Sequence, residues 1–285
     1  SNGGPTVHGS WLPVPETVLD RIVSDVRRRL DAYSEAPGLE EAAFDAVEAR
    51  RSDGLRSLRG SLSVSGPSLI AECKKASPSA GVIRDDFDAA ALAGAYAAGG
   101  AAAISVVTER DSFQGDPRWL IDVRRAVDLP VLRKDFIVTR RQLFETAVLG
   151  ADAVLLIARV LDQGTLADLL GLAGELELEV LLEIFADEDP AIAAASGASI
   201  LGVNARDLAT FEVRLDKAES FVSQLPVDRV RVAESGIHSP GDLERLNGAG
   251  YDAFLVGEHL VRAEDPEAAV RRLIGRGHGD GDGHG

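Results

Sequence analysis

SLIAECK, at residues 68–74, is a short run of mostly apolar residues interrupted near its end by Glu72 and Lys74. The run is too brief for a stable helix and the right length for a strand. Apolar side chains at consecutive positions mean that both faces are buried, the habit of a parallel sheet covered by helices. The residues that follow, KKASPSAG (74–81), hold neither GxGxxG nor GxxxxGK[ST]. A nucleotide-binding open sheet usually carries one of those phosphate turns after its first strand.

Seven similar runs follow at fairly regular intervals: AAISVVT (102–108), PVLRKDF (130–136), ADAVLLI (151–157), EVLLEI (179–184), ILGVN (200–204), VRVAES (230–235) and DAFLVG (252–257). Helix-like segments lie between them, among them DAAALAGAYAAGG (88–100), DQGTLADLLGLAGEL (162–176) and SPGDLERLNGAG (239–250). Several open on Ser or Asp and close on Gly, the start and stop chemistry of helices. Eight such units predict an α/β fold, a closed (β/α)8 TIM barrel, over its main competitor, a doubly wound open sheet. Upstream, PETVLDRIVSDVRRRLDAY (15–33) has the spacing of an additional N-terminal helix packed on the barrel. The expected organisation is one domain over residues 15–274, a leader at 1–14 that is disordered or vector-derived, and a disordered glycine-rich tail, GRGHGDGDGHG, at 275–285.

Composition narrows the function. No apolar run approaches the roughly 18 residues of a membrane span. A formal net charge of -16 repels polyphosphate chains and anionic bilayers, which argues against nucleic-acid and membrane partners. A single cysteine, Cys73, makes no internal disulfide, so the cytoplasm is the default location, and nothing points to an oligomeric partner; a monomer is expected. Lysine is rare: Lys74, Lys75, Lys134 and Lys217 stand among many arginines. Lysine exchanges protons when its surroundings shift its pKa and arginine does not, so lysines kept in such a chain are candidates for chemistry.

Side chains alternate along a strand, so Glu72 and Lys74 share one face and Cys73 takes the other. The same parity puts Lys134, Glu183, Asn204 and Glu234 near the C-terminal ends of the third, fifth, sixth and seventh strands, where barrel enzymes carry their reactive groups. Any one of them alone reads as a strand-end charge reaching water. Together they predict an active site in which lysines and glutamates tune one another as acid and base. Barrels often hold phosphate after strands seven and eight, which here read ESGI and VGEHL; Gly236 and Gly257 let backbone N–H groups approach an anion there. Ser77 and Ser79 add hydroxyls, unless the segment is simply a turn stiffened by Pro78. The five histidines, His8, His238, His259, His278 and His284, show no metal-ligand spacing, and no metal or organic cofactor is expected.

As a set, IAECKKASPSAG, SVVTERDSFQGD, VLRKDF, LLEI, GVNARDL, VAESGI and LVGEHL resemble indole-3-glycerol phosphate synthase over roughly residues 16–274. The resemblance implies a cofactor-independent carboxy-lyase of tryptophan biosynthesis. Its substrate would be 1-(2-carboxyphenylamino)-1-deoxyribulose 5-phosphate. It implies Lys134 as general acid, Glu183 as acid/base in the dehydration, and Lys74 holding the substrate's carboxylate or phosphate beside Glu72. Asn204, Arg206, Glu234 and Ser235 correspond to polar groups around the substrate. Ser77, Gly236, Gly257 and the backbone of Glu258 correspond to a phosphate cup, and Phe113, Phe136, Leu155 and Leu208 to an apolar wall for the anthranilate ring. Glu258 departs from the family, some of whose members have Ser there. The competing expectations are another phosphate-binding barrel isomerase such as phosphoribosylanthranilate isomerase, a Schiff-base aldolase using Lys74 or Lys134, and an inactive scaffold relative.

Overall fold

Each of the eight apolar runs forms a parallel strand: β1 (Ser68–Cys73), β2 (Ala103–Val107), β3 (Val131–Lys134), β4 (Ala153–Ile157), β5 (Glu179–Phe185), β6 (Ile200–Asn204), β7 (Val230–Glu234) and β8 (Ala253–Val256). The strands lie side by side in chain order, and β1 pairs with both β2 and β8, which closes the barrel. The computed structural model describes residues 17–32, 36–185, 190–207 and 212–275; the expected leader, and the tail beyond Gly275, lie outside them.

Helices α1 (Val18–Ala32), α2 (Leu39–Asp53) and α3 (Leu58–Leu62) precede β1. Between successive strands run α4 (Ala89–Gly99), α5 (Arg118–Ala126), α6 (Arg140–Val148), α7 (Gln163–Glu175), α8 (Pro190–Ser196), α9 (Leu215–Phe221) and α10 (Pro240–Ala249). The short α11 (Glu258–Val261) and then α12 (Pro266–Leu273) follow β8. Local chemistry sets several of these boundaries. Asp88, Asp162 and Ser239 each accept a backbone N–H at the start of α4, α7 and α10, satisfying donors the first turn leaves unpaired.

The strand parity holds throughout. Ile70, Leu132, Leu155, Leu181, Ile200, Val232 and Leu255 fill the barrel, while Leu69, Ile104, Leu156, Leu182 and Phe254 pack outward under the helices. Each such apolar side chain contributes about 1.5–3 kcal/mol when fully buried. Cys73 faces outward as the alternation requires, its Sγ 3.7 Å from the Ala89 carbonyl oxygen. Leu58 and Leu62 of α3 close the barrel floor, where the carboxylate of Glu179, the first residue of β5, accepts from Ser57 Oγ and the Arg59 N–H.

Helix α1 crosses the opposite end. Its buried residues Leu19, Ile22, Val23 and Val26 pack with Val138, Phe113, Phe136 and Val160 beside the C-terminal ends of the strands. Arg29 ties it down further, donating to Asp111 at 2.5 Å in the loop after β2.

Candidate active site

Five of the six predicted charged or amide groups, Glu72, Lys134, Glu183, Asn204 and Glu234, come from strands β1, β3, β5, β6 and β7, and Lys74 follows directly after β1. All six line one cavity at the mouth of the barrel. Three of them are carboxyls removed from water: Glu72, Glu183 and Glu234 are 2%, 2% and 1% exposed. Isolated buried charges are costly and persist only when paired. Two lysines supply the pairing. Lys74 Nζ lies 2.8 Å from Glu72 Oε1, and Lys134 Nζ sits between two carboxylates, 3.1 Å from Glu183 Oε2 and 3.2 Å from Glu234 Oε2.

These neighbours set the protonation states. Burial pushes Lys134 down, but the charges of Glu183, Glu234 and Glu72 outweigh it and hold its ammonium well above the ordinary lysine range. Glu72 feels the same contest. Burial pushes its carboxyl up, Lys74 and Lys134 pull it down further, and it ends below the usual carboxylate value. In Glu234 burial wins over the attraction of Lys134, and the repulsion of Glu183 adds to it, so its carboxyl is pushed up to about 8. Near neutral pH burial therefore favours the protonated form of Glu234, beside the ammonium of Lys134.

The backbone behind Lys134 is locked. Arg133, facing outward on β3, donates to Asp135 Oδ2 at 3.0 Å, Thr108 Oγ1 at 3.1 Å and Thr146 Oγ1 at 2.9 Å, all buried. A fully partnered buried network of this kind fixes side-chain position. It holds the residues on either side of Lys134. On β6, Asn204 Oδ1 accepts the N–H of Arg206 at 3.0 Å, and Arg206 lines the same cavity.

After β7, Ser235 and Gly236 take successive left-handed conformations, φ 70° and 78°. Gly adopts these freely and Ser does not, so Ser235 holds mild backbone strain at the cavity wall. Gly257 follows β8, and Glu258 begins α11 with its carboxylate drawn to Arg262 at 2.9 Å. Ser77, in a small hairpin after β1, accepts the Ala80 N–H and lies 3.4 Å from Ser79 Oγ. Phe113 and Phe136, with ring centroids 6.2 Å apart, and Leu155 form an apolar wall. Fifteen of the sixteen residues expected at the site line this cavity; the other, Leu208, lies outside the described residues.

A family model described as indole-3-glycerol phosphate synthase matches residues 19–273. The chain belongs to the indole-3-glycerol phosphate synthase family. Among relatives bearing that name, the protein of Polaromonas sp. is 42% identical over 260 residues, 90% of this chain and 98% of its own. That of Salinibacter ruber is 45% identical over 92% of this chain and 96% of its own. That of Sulfurimonas denitrificans is 48% identical over 72% of this chain and 78% of its own. Solved structures share the fold alone. A 3-hexulose-6-phosphate synthase from Salmonella typhimurium has TM-score 0.59 at 17% identity, covering 74% of this chain and all of its own. Thiamine phosphate pyrophosphorylase from Pyrococcus furiosus has TM-score 0.56 at 19% identity, covering 76% of this chain and 96% of its own.

In this member of the indole-3-glycerol phosphate synthase family, other residues join the cavity that strand parity did not single out. Val18, Leu19 and Ile22 reach it from α1, and Glu109 from the loop after β2. The carboxylate of Glu109 accepts the backbone N–H groups of Asp111, Ser112 and Phe113, which shapes the loop that carries Phe113. The apolar stripe of α1 was legible in the sequence as a packing face, but its contact with the cavity was not.

Proposed function

We propose that the cluster around Lys134 performs the ring closure by which this family makes indole-3-glycerol phosphate. The reaction converts 1-(2-carboxyphenylamino)-1-deoxyribulose 5-phosphate to that product with loss of carbon dioxide and water. The aromatic carbon that bears the carboxylate attacks the ribulose carbonyl, decarboxylation restores the aromatic ring, and dehydration completes the pyrrole. Each step moves protons, and none moves electrons to or from a carrier.

The carrying observation is Lys134 Nζ held between Glu183 and Glu234 at 3.1 and 3.2 Å. A lysine so placed has two carboxyls with which to exchange its proton, which suits a general acid that must be recharged. The proton on Glu234 removes one of the negative charges that hold the ammonium, and this makes Lys134 a better acid than it would be beside three carboxylates. In this reading Lys134 protonates the carbonyl oxygen during ring closure. Glu183, 3.1 Å away, serves the dehydration, taking a proton and returning it to the leaving hydroxyl. Lys74, steadied by Glu72, holds the substrate's carboxylate or phosphate, and Asn204, Arg206 and Ser235 hold its polar middle.

Phe113, Phe136 and Leu155, with Leu208, take the anthranilate ring, and the apolar face of α1 covers it. Ser77 and the backbone at Gly236, Gly257 and Glu258 take the phosphate. The reading also places the enzyme in the cytoplasm, where a biosynthetic barrel with one buried thiol is at home, and takes it to act as a monomer. Incubation of the purified protein with the carboxyphenylamino substrate should give the fluorescence of an indole product. Folded protein that gives none would end this reading.

A further inference from the structure

The loops after β7 and β8 repeat one small pattern, Gly236-Ile237-His238 and Gly257-Glu258-His259, a glycine with a histidine two residues on. These are the two histidines among the described residues, since His8, His278 and His284 lie outside them. The fold brings the pair together. Their ring centroids are 6.1 Å apart with planes inclined at 73°, and both residues line the cavity beside Gly236 and Gly257.

The carboxylates in reach are committed elsewhere. Asp242 Oδ2 of α10 accepts the backbone N–H of His238 at 3.0 Å and both the N–H and hydroxyl of Ser239 at 2.9 Å. Glu258, on the same turn as His259, is paired with Arg262. The remaining charge near the pair is positive: Arg272 of α12 acts on His259, and Arg84, from the segment before α4, donates to the carbonyls of Val261 and Ala263 at the end of α11. Burial lowers the pKa of His259, the charges of His238 and Arg272 lower it further, and Asp242 opposes them. The position is therefore short of negative charge. Two imidazoles without a third donor make a poor metal site, and no group of three ligating side chains lies among the described residues. Two neighbouring ring N–H donors suit an anion better.

We infer that His238 and His259 belong to the anion-binding end of the cavity, where each donates an imidazole N–H to the phosphate of the substrate and the pair takes up a proton as the dianion binds. This rests on the reading that the substrate is a phosphate monoester, and it adds side-chain donors to what is otherwise a backbone and hydroxyl cup. A charge-assisted hydrogen bond contributes about 1.5–3 kcal/mol, so loss of either ring should cost about tenfold or more in affinity and loss of both about 100-fold or more.

The test uses inorganic phosphate as probe, with its Kd measured by calorimetry at pH 6.0 and 8.5 for the wild type, His238→Ala, His259→Ala and the double variant. KM and kcat for the carboxyphenylamino substrate are measured alongside. The double variant should bind phosphate about 100-fold more weakly at pH 6.0 and raise KM more than it lowers kcat. Its Kd ratio to wild type should shrink at pH 8.5, where an ordinary imidazole is neutral; the titration of phosphate itself is common to both proteins and cancels in that ratio. His238→Asn with His259→Gln keeps amide donors but cannot titrate, so it should restore affinity at pH 8.5 and not its rise towards pH 6.0. A folded double variant whose phosphate Kd and substrate KM stay within twofold of wild type at pH 6.0 overturns the inference. Were indole product never formed while phosphate binding followed this pattern, the reaction assignment would fail and the histidine site would stand.

Discussion

Gly257 lies against the carboxylate of Glu72: a β-carbon at position 257 would overlap Glu72 Oε1 and come within 3.1 Å of its Cδ. The backbone at Gly257 has φ −118°, which any residue adopts, so the requirement is for space and not for conformation. Gly202 on β6 stands in the same relation to Glu234, whose Oε1 would overlap a β-carbon there. In each case an inward position that could have carried a core side chain is left open for a cavity-lining carboxyl of another strand. Gly257→Ala should therefore displace Glu72 from Lys74 and lower kcat/KM by about 100-fold or more, with about 1–3 kcal/mol of overpacking visible as a lower Tm. Adding Glu72→Asp, one methylene shorter, should recover Tm without recovering activity. Wild-type turnover by Gly257→Ala would show that Glu72 has room elsewhere.

Lys134→Ala should lower kcat by at least about 100-fold with a modest change in KM, the pattern expected when an interaction of the transition state is removed. The same substitution leaves Glu183 and Glu234 without their shared cation. Glu234 then loses the attraction that opposes its burial, so its carboxyl should titrate at higher pH than in wild type, measurable by potentiometric comparison. Steady-state kinetics decide the catalytic claim, and near-normal kcat would reject it.

Glu234 gives stability a pH dependence. Its carboxyl titrates near an ordinary 4.5 in the unfolded chain and at about 8 in the folded one. Between those values the folded state binds more protons, so stability falls as pH rises. The contribution is whole below the lower value and gone above the upper. Glu234→Gln keeps the shape and removes the titration. Thermal melts from pH 5 to pH 8 should show Tm falling more steeply in wild type than in Glu234→Gln, and parallel curves would mean that Glu234 is ionised throughout.

Strand parity made most of this site legible. Once SLIAECK was read as a two-faced buried strand, the inward positions Glu72, Lys134, Glu183, Asn204 and Glu234 followed from alternation, and all of them line the cavity. The clearance at Gly202 and Gly257 was not legible, because it depends on which rotamer a carboxyl takes across the barrel. The pairing of His238 with His259 is hidden for the same kind of reason: they fall outside the strands, where alternation says nothing, and only the closure of β7 against β8 brings them together. The N-terminal region reads as polar up to β1, although it contains α2 and α3. Along α2 only Ala43, Val47 and Arg50 are buried, too weak a stripe to stand out.

Arg50 is what the weak stripe conceals. It is 5% exposed, and its guanidinium donates to the carbonyls of Ala151 at 2.9 Å and Leu176 at 2.5 Å, joining α2 to the start of β4 and the end of α7. Both carbonyls belong to the floor of the barrel, at the far end of the strands from Lys134. Arg50→Ala leaves those acceptors buried without their charged donor, a loss of about 2–4 kcal/mol. For a domain of this size that is a drop in Tm of roughly 2–4 °C for each kcal/mol. Because the site is built at the other end, kcat and KM at 25 °C should stay within about twofold of wild type. Arg50→Met, which keeps the buried stem and loses the donors, should recover part of the Tm through packing. A variant that loses activity in proportion to Tm would mean that floor and mouth are coupled, and would make α2 part of the catalytic scaffold rather than a brace beneath it.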